Sequence, residues 1–105
     1  MGKVKAKVKI FELPVFDAAD YLKTEADCAQ YLSVVLEDGD PALLAAALGD
    51  VARARGMSQV ARDAGITREG LYKALSAEGN PSVATVLKVM RALGLQIDVK
   101  PLART

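Results

Sequence analysis

The sequence predicts a mainly α fold: five helices containing a helix-turn-helix, with a short β-strand near each terminus. Three observations carry that expectation. Capping residues Thr24, Asp40, Thr67 and Ser82 each stand ahead of an apolar run with helical spacing. Residues 58–75, SQVARDAGITREGLYKAL, hold two helical runs too short to be stable alone, joined at Ala64-Gly65-Ile66. Residues 3–10 and 95–99 alternate apolar with polar residues, which is the period of a strand.

Taken in order, the first strand sets Val4, Ala6, Val8 and Ile10 against Lys3, Lys5, Lys7 and Lys9. Lysines along a free face are how edge strands avoid unwanted pairing. Pro14 ends this arm, and Asp17 can cap a short turn through Tyr21-Leu22. Thr24 with Asp27 reads as a capping box opening a helix to about Glu37. Cys28, Leu32, Val35 and Leu36 share one face of it, and Asp38-Gly39 stops it. Asp40 caps the next helix with Pro41 at its first position, where a missing N–H costs nothing. That helix should bury Leu44, Ala47, Leu48 and Val51 and end at Gly56. After the two short helices, Asn80-Pro81 breaks the chain and Ser82 caps a helix with Val83, Val86, Leu87, Met90 and Leu93 as its apolar face. Gly94 closes it, and LQIDV follows as the second strand.

The 105 residues suit one domain, 1–105. It divides into a strand or arm at 1–15, an acidic helical segment at 16–40, a helix-turn-helix core at 41–94, and a strand and tail at 95–105. The single cysteine, Cys28, excludes an internal disulfide and fits a reducing cytoplasm. With no histidine, imidazole-based catalysis is excluded, and zinc sites have too few soft ligands. An enzyme is not expected, nor a cofactor or a metal. No stretch has the form of an export signal or a membrane span.

The formal charge of +1 conceals a division. Residues 11–50 carry nine acids against one base, whereas residues 51–91 carry seven bases against three acids. Two surfaces for two kinds of partner would account for that asymmetry.

The basic half holds the helical pair. In a helix-turn-helix, the scaffold helix crosses the second helix over a small side chain, and Ala61 supplies one. Gly65 can take positive φ where the chain reverses, Ile66 and Leu71 fill the angle between the helices, and Thr67 caps the second helix. Arg68, Glu69, Tyr72 and Lys73 are then left on the outer face, suited to a DNA major groove, with the helix N-terminus open to phosphate. Gln59 is placed to touch a phosphate or brace Arg68. Gly70 inside the second helix should cost it roughly 1 kcal/mol against Ala. The competing reading is a helical hairpin that only builds core.

Residues 47–95, ALGDVARARGMSQVARDAGITREGLYKALSAEGNPSVATVLKVMRALGL, closely resemble addiction-module antidote proteins, HigA-like antitoxins with a lambda-repressor-like, Xre/Cro-type helix-turn-helix. FDAADYL (16–22), YLSVVLEDGDPALLAAALGD (31–50) and GNPS (79–82) extend the resemblance over most of the chain. Residues 3–10 have no counterpart in the pattern. The resemblance implies a dimer that neutralises a RelE/ParE-type toxin and represses its own operon on double-stranded operator DNA. The DNA-reading role then falls on Gln59, Thr67, Arg68, Glu69, Tyr72 and Lys73. The acidic half would face the toxin, with Phe16, Tyr21, Leu22 and Tyr31 as apolar anchors. A helix-turn-helix regulator that acts alone or belongs to a prophage, without a toxin, is the alternative.

Overall fold

The computed structural model describes residues 21–76 and 79–103. They contain five α-helices: α1 (Glu25–Asp38), α2 (Pro41–Arg55), α3 (Met57–Ala64), α4 (Arg68–Ala74) and α5 (Val83–Ala92). α1 lies against α2, α2 against α3, and α3 in turn against both α4 and α5.

The helix starts follow from local hydrogen bonding. Thr24 and Asp27 form a complete capping box: the Asp27 N–H donates to Thr24 Oγ1 at 3.0 Å, and the Thr24 N–H donates to Asp27 Oδ2 at 3.1 Å. Asp40 Oδ1 accepts from the Ala42 N–H at 3.0 Å, and Ser82 Oγ accepts from the Thr85 N–H at 3.1 Å. α5 ends in a Schellman turn. Gly94 takes φ +77°, its N–H donates to the Arg91 carbonyl at 3.0 Å, and the Leu95 N–H reaches the Met90 carbonyl at 2.8 Å.

The core draws on every helix: Cys28, Leu32 and Val35 from α1, Leu48 and Val51 from α2, Val60 and Ala61 from α3, Leu71 from α4, and Val89 and Met90 from α5. Leu22, ahead of α1, is buried in the same cluster. α2 meets its neighbours largely through small residues, with Ala45, Ala47, Gly49 and Ala52 all buried. At Gly49 the approach is closest: a Cβ there would lie 2.9 Å from the backbone carbonyl oxygen of Leu75.

Several expectations fail in instructive ways. Residues 95–103 form no strand, and among the described residues there is none. Alternation alone cannot make a strand, because a strand needs a hydrogen-bonded neighbour, and no described residue takes that place beside Leu95, Ile97 and Val99. The first predicted strand and the Asp17 cap lie outside the described residues. On α1, Leu36 is exposed while Cys28, Leu32 and Val35 are buried. On α5, Val83 and Leu87 are exposed, because packing onto α3 selects Val89, Met90 and Leu93 for the interior and leaves the 83/87 stripe turned outward. On α2, Leu44 is only partly buried and Ala45 sits deeper. Among the described residues, no helix is long and apolar enough to cross a membrane.

Gly49→Ala should therefore destabilise the protein by about 1–3 kcal/mol, the usual cost of overpacking, despite the better helix propensity of alanine. Urea unfolding followed by circular dichroism measures this, and an unchanged or raised midpoint would contradict the close α2–Leu75 approach.

Candidate nucleic-acid interface

The turn between α3 and α4 is built by two backbone bonds. Gly65 adopts φ +71°, its N–H donates to the Arg62 carbonyl at 3.1 Å, and the Ile66 N–H donates to the Ala61 carbonyl at 2.9 Å. This is the same Schellman geometry that ends α5. Ala61 is buried with Val60, Leu71 and Leu75, and Ile66 packs partly buried against them. The small residue is thus buried, the glycine is left-handed, and Ile66 and Leu71 pack into the same core.

Thr67 caps α4: its Oγ1 accepts from the Gly70 N–H at 2.9 Å. This bond also accounts for Gly70. A Cβ at that position would stand 2.8 Å from Thr67 Oγ1, inside the space that the capping hydroxyl occupies. The cap also takes one of the N–H groups that were expected to be open to phosphate.

Arg68, Glu69, Tyr72 and Lys73 are all exposed on the outer side of α4, and Tyr72 presents 55 % of its surface. No hydrogen bond or ion pair to another described residue engages these four side chains. Gln59 does not brace Arg68. Its Nε2 donates to Asp63 Oδ1 at 2.9 Å and its Oε1 accepts from Arg62 Nη1 at 2.9 Å. Arg62 and Asp63 both lie one turn beyond Gln59 on α3, so the nearest partners take the amide. α3 itself starts at Gly56 with no side-chain cap.

The acidic half has its own connections. Tyr31 donates its hydroxyl to Asp50 Oδ2 at 3.1 Å, and Arg53 Nη2 donates to Asp50 Oδ1 at 2.6 Å. Tyr21 meets Tyr31 edge to face, with ring centroids 6.3 Å apart. Arg55 Nη1 donates to the Lys23 carbonyl at 2.7 Å, tying the end of α2 to the approach of α1. Burial, reinforced by the charge of Asp50 and the hydrogen bond to it, pushes the Tyr31 hydroxyl well above its ordinary pKa. Burial also raises the Cys28 thiol. Of the four apolar residues assigned to a partner, Tyr21 is exposed, Tyr31 is half-buried and bonded within the fold, Leu22 is core, and Phe16 lies outside the described residues. Among the described residues, no cluster of acidic and cysteine side chains could hold a metal ion.

Sequence reasoning missed the Tyr31–Asp50–Arg53 group. Asp50 and Arg53 are one turn apart and could have been paired by spacing, but Tyr31 is joined to them only through the α1–α2 packing.

The sequence that builds this fold places the chain in a known class, the antidotes of addiction modules. A family model described as "probable addiction module antidote protein" matches residues 12–101, so the chain belongs to that family. A Haemophilus influenzae protein described as uncharacterized is 56 % identical over 89 residues, covering 85 % of this chain and 92 % of its own. No solved structure matches.

Two expected outcomes follow from the bonds above. Gly70→Ala should leave stability nearly unchanged, because the roughly 1 kcal/mol propensity gain is offset by disturbance of a cap of similar value. In a Thr67→Ala background the same change should stabilise by about 1 kcal/mol, and an identical effect in both backgrounds would disprove the conflict. The folded state raises the Tyr31 pKa above the ordinary value of 10.0. Its contribution is therefore full below pH 10 and lost as pH climbs beyond it. Tyr31→Phe should cost about 1 kcal/mol at neutral pH and flatten the alkaline fall in stability, measured by urea unfolding on either side of pH 10.

Proposed function

We propose that this chain is the antitoxin of a type II toxin–antitoxin module, a HigA-like protein that neutralises a RelE/ParE-type toxin and represses its own operon as a dimer. Support comes first from membership of the antidote family, which implies a toxin as partner. The observation that carries the DNA half is the outer face of α4, where four polar or aromatic side chains stand exposed and unengaged by the fold. On this reading α3 and α4 are a helix-turn-helix with α4 in the major groove. Arg68 and Lys73 reach guanine or phosphate, Glu69 accepts from a cytosine amino group, and Tyr72 and Thr67 contact backbone or a thymine methyl. Gln59, held by Arg62 and Asp63, presents α3 to a phosphate.

The toxin is assigned to the acidic half. Nine acids against one base over residues 11–50 suit a basic partner and would speed its capture. Phe16 and Tyr21 are the anchors of this contact, while Leu22 and Tyr31 hold the surface from beneath. Removing residues 1–38 is not a usable test, since α1 supplies Cys28, Leu32 and Val35 to the core.

Arg68→Ala should weaken operator binding by about 1–3 kcal/mol and relax sequence preference at one position, read by a salt-controlled gel shift. Equal loss on random DNA would make Arg68 a phosphate contact, and unchanged binding would remove it from the interface. Co-expression with the adjacent gene product should yield a complex that Tyr21→Ala weakens. A chain that binds operator but captures no neighbouring product would instead be a regulator acting alone.

A further inference from the structure

Five of the eight large apolar side chains exposed among the described residues lie on α5 or after it: Val83, Leu87, Ile97, Val99 and Leu102. The segment beyond α5 is unusual in its backbone too. After the Leu95 N–H bonds the end of α5, no backbone hydrogen bond joins residues 96–102 to any described residue. Leu87, Met90, Leu95 and Ile97, with Arg91 and Gln96 at their side, line one open groove beside this segment. Unpaired backbone with an apolar side is a template for strand addition.

We propose that residues 94–100 pair antiparallel with the same residues of a second copy, about a two-fold axis through Ile97. The register selects this occupant. Centred on Ile97, the pairing sets Leu95 opposite the second copy's Val99, Ile97 opposite Ile97, and Gln96 opposite Asp98. Apolar residues thus share one side and polar residues the other. A slip of one residue would set Leu95 against Asp98 and destroy the match. Gly94 faces Lys100, and the Glu25 carboxylate lies against Gly94, where it would block a Cβ. The second copy's Lys100 is thereby brought toward a carboxylate. The fold bounds the ribbon at both ends: Gly94 closes the helix, and Pro101 has no N–H to donate. The apolar side of the ribbon would cover the groove at Leu87, giving that exposed side chain an apolar neighbour. An isologous contact of this kind is closed and self-limiting.

The inference deepens the repressor reading by naming its dimer surface, yet its test contains no DNA. Sedimentation of the full chain at micromolar concentration should give a dimer. Ile97→Lys should give a monomer with unchanged helical circular dichroism. Under mild oxidation Ile97→Cys should cross-link to itself across the axis, whereas Val99→Cys should not, and wild type, whose Cys28 is buried, should stay unlinked. A monomeric wild type, a dimer that survives Ile97→Lys, or cross-linking at 99 rather than 97 would overturn the proposal. So would a disulfide within one chain of a Val8→Cys, Ile97→Cys double variant, which would give the groove to the N-terminal run. A dimer that ignores operator DNA would sink the repressor reading and leave this one standing.

Discussion

The arrangement depends on how closely α2 approaches its neighbours. A row of alanines and Gly49 lets α2 sit against α1 and α3, and at Gly49 the helix meets the carbonyl oxygen of Leu75, just beyond α4. α3 and α4 have 8 and 7 residues, too few for independent helicity. They persist because Val60, Ala61, Leu71 and Leu75 are buried in a core whose other walls are α2 and α5. The orientation of the outer face of α4 is thus set from behind, by residues buried in the core.

This support from behind also explains why the exposed side of α4 can be so sparsely tied. Its own stability needs only the Thr67 cap, the Leu71 anchor and the bond from the Leu75 N–H to the Leu71 carbonyl at 3.0 Å. Arg68, Glu69, Tyr72 and Lys73 are then not required to hold the helix in place. α3 differs: its exposed Arg62 and Asp63 are both bonded to Gln59. On the reading proposed above, α3 offers a stiff surface to the DNA backbone and α4 offers adaptable side chains to the bases, a division that suits positioning against readout.

Most of this was legible in the sequence because it is local. The capping box at Thr24, the Asp40-Pro41 start, the Ser82 cap and the Gly65 reversal depend on residues within five positions of one another, and each stands as read. What was lost depends on contacts between elements. Leu36, Val83 and Leu87 fit a helical apolar period, but only the packing of α1 and α5 decides which apolar residues turn inward. The alternation of 95–99 is plain, yet a strand depends on a neighbour that a single chain's pattern cannot supply. Gly70 looked like a weakness in α4, and it is explained only by the position of the Thr67 hydroxyl. The Tyr31 hydroxyl bond to Asp50 spans 19 positions and no local pattern announces it.

That bond bears on how one small domain joins two segments of opposite charge. Asp50 is the last acid of the acidic half and Arg53 the first base of the basic half, and they are joined at 2.6 Å. An exposed pair of this kind contributes little by itself. Asp50 also accepts from Tyr31, however, and Tyr31 carries Tyr21 on its edge. The acid at the boundary is therefore held from α1 and from its own helix at once, and Arg55 repeats the connection by reaching the Lys23 carbonyl. With α1 fastened to α2 on this side, and α2 seated against Leu75 on the other, a force applied at Tyr21 would be borne by the same helix that positions α4. A partner docking on the acidic segment would accordingly meet a helix fastened to the rest of the fold, with one line of contact to α4 running through α2 and another through Glu25 and the end of α5.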